Sequence, residues 1–208
     1  MLGYWLGAEL AINSTYRYVA YGADIPFPER SRLMKHVMHI DQHVRYALVL
    51  QAGLGFALSA LYGYVPGVSA TVWGAAILAA AWLAFIEVVH RRRGTPSGVR
   101  IATFDRRMRY VMIAILVAIA LGLVGVGWSM PPWLRLKLAL FAGVIGSGVG
   151  IRLALLRHFR TFALMERQGP TDEANETVRR TYVRATSILV LLWVFIAAIV
   201  AVSVWKPD

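Results

Sequence analysis

The sequence predicts an all-α fold: a polytopic transmembrane helix bundle of about six spans, with both termini on the non-cytoplasmic side. Three observations predict it. Of 208 residues, 58% are hydrophobic and 16% charged, against roughly 45–50% and 25% in ordinary soluble domains. Uncharged stretches run from Tyr46 to Ile86, from Tyr110 to Leu134 and from Ala185 to Trp205, each at least as long as the ~20 residues a helix needs to cross a bilayer. The basic residues gather in alternate loops, which sets an orientation.

Taken in order, the apolar segments are Leu2 to about Tyr21, Tyr46 to Tyr64, Ser69 to Val89, Tyr110 to Trp128, Trp133 to Ile151 and Ala185 to Trp205, and they read as one membrane domain covering residues 1–208. The first segment has no basic leader region and holds Glu9, Asn13, Ser14 and Thr15 at its centre, so it reads as a retained helix and not a signal peptide. It is only just long enough to span, and a start upstream of Met1 is compatible with that length. The second and third segments are separated by a short turn, Gly63 to Ser69, and the fourth and fifth by Ser129 to Pro132, both built from turn-forming residues. The fifth segment opens with Arg135 and Lys137, whose long stems can snorkel to the interface. Gly143, Gly146, Gly148 and Gly150 follow, and they read as a small-residue face for close helix packing, as do Gly122, Gly125 and Gly127 in the fourth segment. Beyond it, Arg152 to Gln168 is polar but carries Leu153, Leu155, Leu156, Phe159 and Phe162, so the helix is expected to project from the membrane until Gly169-Pro170 ends it. Thr171 or Asp172 can cap a last helix whose early acids and later arginines match the helix dipole and which runs into the sixth segment.

Net charge is +11, but placement argues for a membrane and against nucleic acid. Of the 22 lysines and arginines, 19 lie in three loops: Arg17 to Arg45, Arg91 to Arg109, and Arg152 to Arg184. The opposite side holds Arg135, Lys137 and Lys206. Short loops rich in Lys and Arg stay in the cytoplasm, so this distribution predicts a multi-pass membrane protein with these three loops on the cytoplasmic side. Trp73, Trp128, Trp133 and Trp205 fall at the outer ends of segments, as an aromatic belt requires. The chain has no cysteine, which removes thiolate metal sites, iron–sulfur clusters and cysteine nucleophiles. The Arg91 to Arg109 loop shows no phosphate-binding glycine pattern, and no paired catalytic carboxylates are found, so the catalytic residues of any enzyme activity are unknown.

Two groups carry the available chemistry. Glu9, Asn13 and Arg17 stand at i, i+4 and i+8 on the first segment, a polar stripe that reads either as an intramembrane path for a proton or ion or as hydrogen bonds that fix helix packing. His36, His39 and His43 share a helical face just before the second segment, with Met34 and Met38 on the same turns. Imidazole and thioether donors suit copper or haem iron, so His36, His39, His43 and Met38 are the candidate metal ligands; the alternative is an interfacial helix whose imidazoles meet headgroups, carboxylates or other subunits. Glu87, near the cytoplasmic end of the third segment, is expected to pair with a loop arginine, and Asp41 with Arg45.

The opening Trp5-Leu6-Gly7-Ala8-Glu9, the Arg32 to Arg45 stretch, the Trp133-Leu134-Arg135-Leu136-Lys137 entry and the closing Trp205-Lys206-Pro207 resemble the bacterial copper-resistance D (CopD-like) membrane proteins and, more distantly, HemJ-type protoporphyrinogen oxidases. The resemblance implies a membrane protein that handles a metal or haem: a copper permease, or a redox component holding haem b. From the HemJ-type entry it implies that Trp133 and Lys137 contribute to cofactor binding. The histidine which that family places ahead of its first-helix tryptophan has no counterpart, since four residues precede Trp5. A different class also fits the composition: a non-catalytic membrane subunit or anchor, with lipid, other membrane subunits or further copies of itself as partners.

Overall fold

The computed structural model describes residues 2–92 and 95–206, with Val99 described by its backbone alone. Arg93, Gly94 and Pro207, which entered the charge count, the loop reading and the terminal motif, lie outside the described residues. The described chain is helical: α1 (Leu2–Tyr21), α2 (Phe27–Leu61), α3 (Val68–Arg91), α4 (Pro96–Ala120), α5 (Pro132–Gln168) and α6 (Asp172–Trp205). Among the described residues four helices, α2, α3, α5 and α6, are long and apolar enough to cross a membrane. Large apolar side chains on them face outward, among them Trp73, Ile77 and Leu78 on α3 and Val190, Leu191 and Val194 on α6. Contiguous exposed apolar surface of this kind marks a lipid or protein contact.

The fourth segment is the clearest correction to the sequence reading. Its helix does not run from Tyr110 to Trp128 but begins at Pro96 and stops at Ala120. Thr95 caps the start, accepting from the Gly98 backbone N–H at 3.0 Å, with proline at the first helical turn. Most of the arginine-rich stretch read as a loop is therefore helix. Past Ala120 the chain turns on Gly122, Gly125 and Gly127, with φ of 74°, 78° and 87°. These left-handed conformations are ones that glycine adopts without strain, so the three glycines end the helix instead of packing it against a neighbour. The apolar run that remains on α4, 110–120, is too short to span a bilayer alone. On α1, Glu9, Asn13 and Arg17 interrupt the apolar pattern.

The other boundaries follow their chemistry closely. Helix α5 continues through the polar extension 152–168, and Gly169, at φ 83°, ends it. Thr171 is the cap of α6, its hydroxyl accepting from the Ala174 N–H at 3.2 Å. On α5, close packing occurs at Gly143, where a Cβ would lie 2.9 Å from the Phe195 ring, and at Gly150, 3.5 Å from Ile188, whereas among the described residues no neighbour outside the local helix backbone lies within 4 Å of a Cβ built at Gly146 or Gly148.

Two compact units form. One comprises Arg45–Gly146 with 193–206. Its core has one cluster of Ala60, Val65, Ile119, Met130 and Leu134 and another of Leu116, Ala142 and Ile145. The second comprises Leu2–Val44 and Ser147–Leu192, around Tyr16, Val19, Ala20, Met34, Val37, Ala154, Phe162, Met165, Val178, Tyr182 and Ala185.

Candidate functional site

The second unit gathers most of the buried polar groups. Along α1, Trp5 Nε1 donates to Glu9 Oε1 at 3.3 Å, both residues buried, and Asn13 Oδ1 accepts from the Thr186 hydroxyl of α6 at 3.1 Å. One turn further, Tyr16 Oη and His158 Nδ1 are 3.0 Å apart. Arg17 does not join this row, and its side chain is exposed. At about 100° per residue, position 17 lies some 80° around the helix from Glu9 but position 16 only about 20°, so the tyrosine takes the inner place.

His158 is wholly buried. Its ring stacks on Phe162 at 4.5 Å, meets the edge of Tyr16 at 5.0 Å and leaves Nε2 without a hydrogen-bond partner among the described residues. Arg30 is buried beside it at 1% exposure. Its Nε and Nη2 donate to the Val19 carbonyl at 3.2 and 2.9 Å, and Nη1 to Asn175 Oδ1 at 2.7 Å. Val19 is in the last turn of α1, where carbonyls lack helical partners, so Arg30 caps α1 and ties it to the start of α6. Neither residue stood out in the sequence: Arg30 counted as one loop cation among many. The signal for His158 was present, since Leu155, His158, Phe159 and Phe162 stand at i, i+3, i+4 and i+7, one apolar helix face.

The α2 histidines form an outward ladder, with His36, His39 and His43 all exposed. His39 Nδ1 lies 2.9 Å from the Lys35 carbonyl, which can only accept, so Nδ1 carries the proton in this contact. His43 Nδ1 is 2.6 Å from Tyr4 Oη. Met38 packs against the hydrophobic core and Met34 lies within it. Helical geometry explains the separation: the methionines, four residues apart, share one face, and the imidazoles take another. Among the described residues no three His, Asp or Glu side chains come together as a metal cage.

In the first unit, Lys137 Nζ lies 5.4 Å from the Trp133 ring centroid, and Lys206 Nζ is 5.7 Å from the same ring. One indole thus receives two ammonium groups, each in cation–π range. Glu87 accepts from the Tyr46 hydroxyl and from Arg91 Nε, the latter at 2.6 Å, which is the expected pairing with a nearby arginine.

Haem b requires an imidazole at the edge of an apolar slot wide enough for the macrocycle. His36, His39 and His43 are exposed, and the buried His158 ring is covered by Phe162 and Tyr16. Compared with protein-family models, with curated proteins and with solved structures, the chain gives no match.

Proposed function

We propose that the chain is a multi-pass integral protein of the bacterial inner membrane, with both termini outside the cytoplasm, that handles copper in the manner of CopD-like proteins. The observation that carries the metal reading is the His39 ring, whose Nδ1–H is held by the Lys35 carbonyl on the face it shares with His36 and His43. Metal-binding histidines are oriented by such a bond from the other ring nitrogen, and imidazole suits copper. Two or three imidazoles on one exposed helix face leave coordination positions to be filled by water or by the donor that delivers the ion, an arrangement suited to transfer. Copper is here the cargo, and Glu9 and Asn13 mark the polar path along α1. The segregation of basic residues supports the orientation, and the outward apolar faces of α3 and α6 support lipid contact.

Purified protein stripped with a chelator and reloaded with copper tests this. Bound copper measured by elemental analysis is expected near one per chain and to fall at least to half in His36→Ala/His39→Ala, with the elution volume unchanged because both side chains are exposed. A chain that takes up no copper, or a double variant that binds as well as the parent, overturns it. A second reading, a subunit that docks a partner, is favoured by exposed Leu153, Leu156, Phe159 and Leu164 on the polar extension of α5; isolation only with other chains, and without copper, supports it.

A further inference from the structure

The second unit carries a groove of about 350 Å³ lined by Tyr21 at the end of α1 and by Glu176, Arg179, Arg180, Val183 and Arg184 on α6. That volume lies within the roughly 300–1,000 Å³ of small-ligand sites. Glu176 is shared by two arginines, at 2.8 Å from Arg179 Nη2 and 2.8 Å from Arg180 Nε. The hydrogen bond from Arg180 and the charges of both arginines hold its carboxyl below the ordinary carboxylate range. One carboxylate among three guanidiniums leaves the lining with a surplus of two positive charges. Arg184 is exposed and makes no hydrogen bond or ion pair to the described residues. The Tyr21 ring is held in place, meeting the edge of Tyr182 at 5.7 Å and 83°, and Tyr182 belongs to the buried core.

Position along the helices identifies the occupant. Arg184 is the last charged residue before the uncharged run 185–205 of α6, and Tyr21 is the last residue of α1. A groove that joins three arginines and a tyrosine at the point where polar helix gives way to apolar helix lies at headgroup level, with acyl chains able to follow Val183 and the apolar turns beyond. We propose that this groove holds the phosphate of an anionic phospholipid headgroup, with Arg184 as the free cation that meets it and Arg179, Arg180 and the Tyr21 hydroxyl as its supports. Guanidinium groups match phosphate oxygens through paired N–H donors, and basic pockets at the cytoplasmic ends of helices are suited to such headgroups. The inference rests on the membrane reading and not on copper.

The test uses the full chain, delipidated in neutral detergent and titrated with phosphatidylglycerol, phosphatidylcholine or inorganic phosphate, with bound lipid counted by native mass spectrometry. Phosphatidylglycerol is expected to bind, and Arg184→Gln to weaken it about fivefold, the worth of one interfacial arginine. Tyr21→Phe, which keeps the ring contact with Tyr182, is expected to weaken it by a smaller factor. Arg160→Gln, an exposed arginine on the α5 extension, leaves it unchanged. The proposal fails if Arg160→Gln weakens binding as much as Arg184→Gln, if phosphatidylcholine binds equally well, or if inorganic phosphate alone displaces the lipid at millimolar concentration. Copper loading of the same preparations fails or succeeds independently.

Discussion

Arg30→Ala is expected to be among the most damaging single substitutions in the chain. Arg30 serves two acceptors, the Val19 carbonyl through Nε and Nη2 and Asn175 Oδ1 through Nη1. A hydrogen bond to a charged group contributes about 1.5–3 kcal/mol, so the two acceptors together represent about 3–6 kcal/mol. Removing the guanidinium also removes its own cost of burial, which offsets part of this and places the expectation near 3 kcal/mol. Asn175→Ala, which leaves Arg30 its bonds to Val19, is expected to cost about 1–3 kcal/mol, and the double variant less than the sum, because both changes remove one shared contact. Unfolding in mixed micelles, followed by far-ultraviolet ellipticity as the denaturing detergent fraction rises, gives these differences. A loss under about 1 kcal/mol for Arg30→Ala would refute the assignment of this arginine as the cap of α1, since it falls below the value of one charged hydrogen bond.

Tyr16→Phe strips His158 of its Nδ1 partner, at a cost of about 1–3 kcal/mol, whereas Tyr16→Phe/His158→Phe removes both members of the pair and is expected to recover most of that loss in the same assay. Gly143→Val forces a branched side chain against the Phe195 ring, with an expected loss of about 1–3 kcal/mol. Phe195→Ala in that background empties the space and restores part of it; equal thermal midpoints for Gly143→Val and the parent would contradict the contact.

Much of the fold was legible because apolar periodicity and helix punctuation are local. The α1 limits, the long α5 ending at Gly169 and the Thr171 cap of α6 follow from residues within a turn or two of each boundary. The α4 boundary was misread because Leu121 to Trp128 is apolar in composition and alternates with glycine; hydropathy does not distinguish glycine that packs helices from glycine that turns the chain, and the positive φ values decide it. The site was less legible. The stripe Glu9 and Asn13 was visible from spacing, but Tyr16 replaces Arg17 through the 3.6-residue period, and the partners Thr186, His158 and Asn175 lie more than 140 positions away. Long-range pairing of this kind leaves no mark in local sequence, as the buried Arg30 illustrates.

Which side of the membrane the arginines face is directly measurable, because the chain has no cysteine. Single cysteines introduced at the exposed positions Pro66, Ser129 and Arg167 can be labelled with a membrane-impermeant maleimide in intact cells. The account predicts labelling of Pro66→Cys and Ser129→Cys in intact cells and of Arg167→Cys only after permeabilisation. Labelling of Arg167→Cys together with Pro66→Cys before permeabilisation would contradict it.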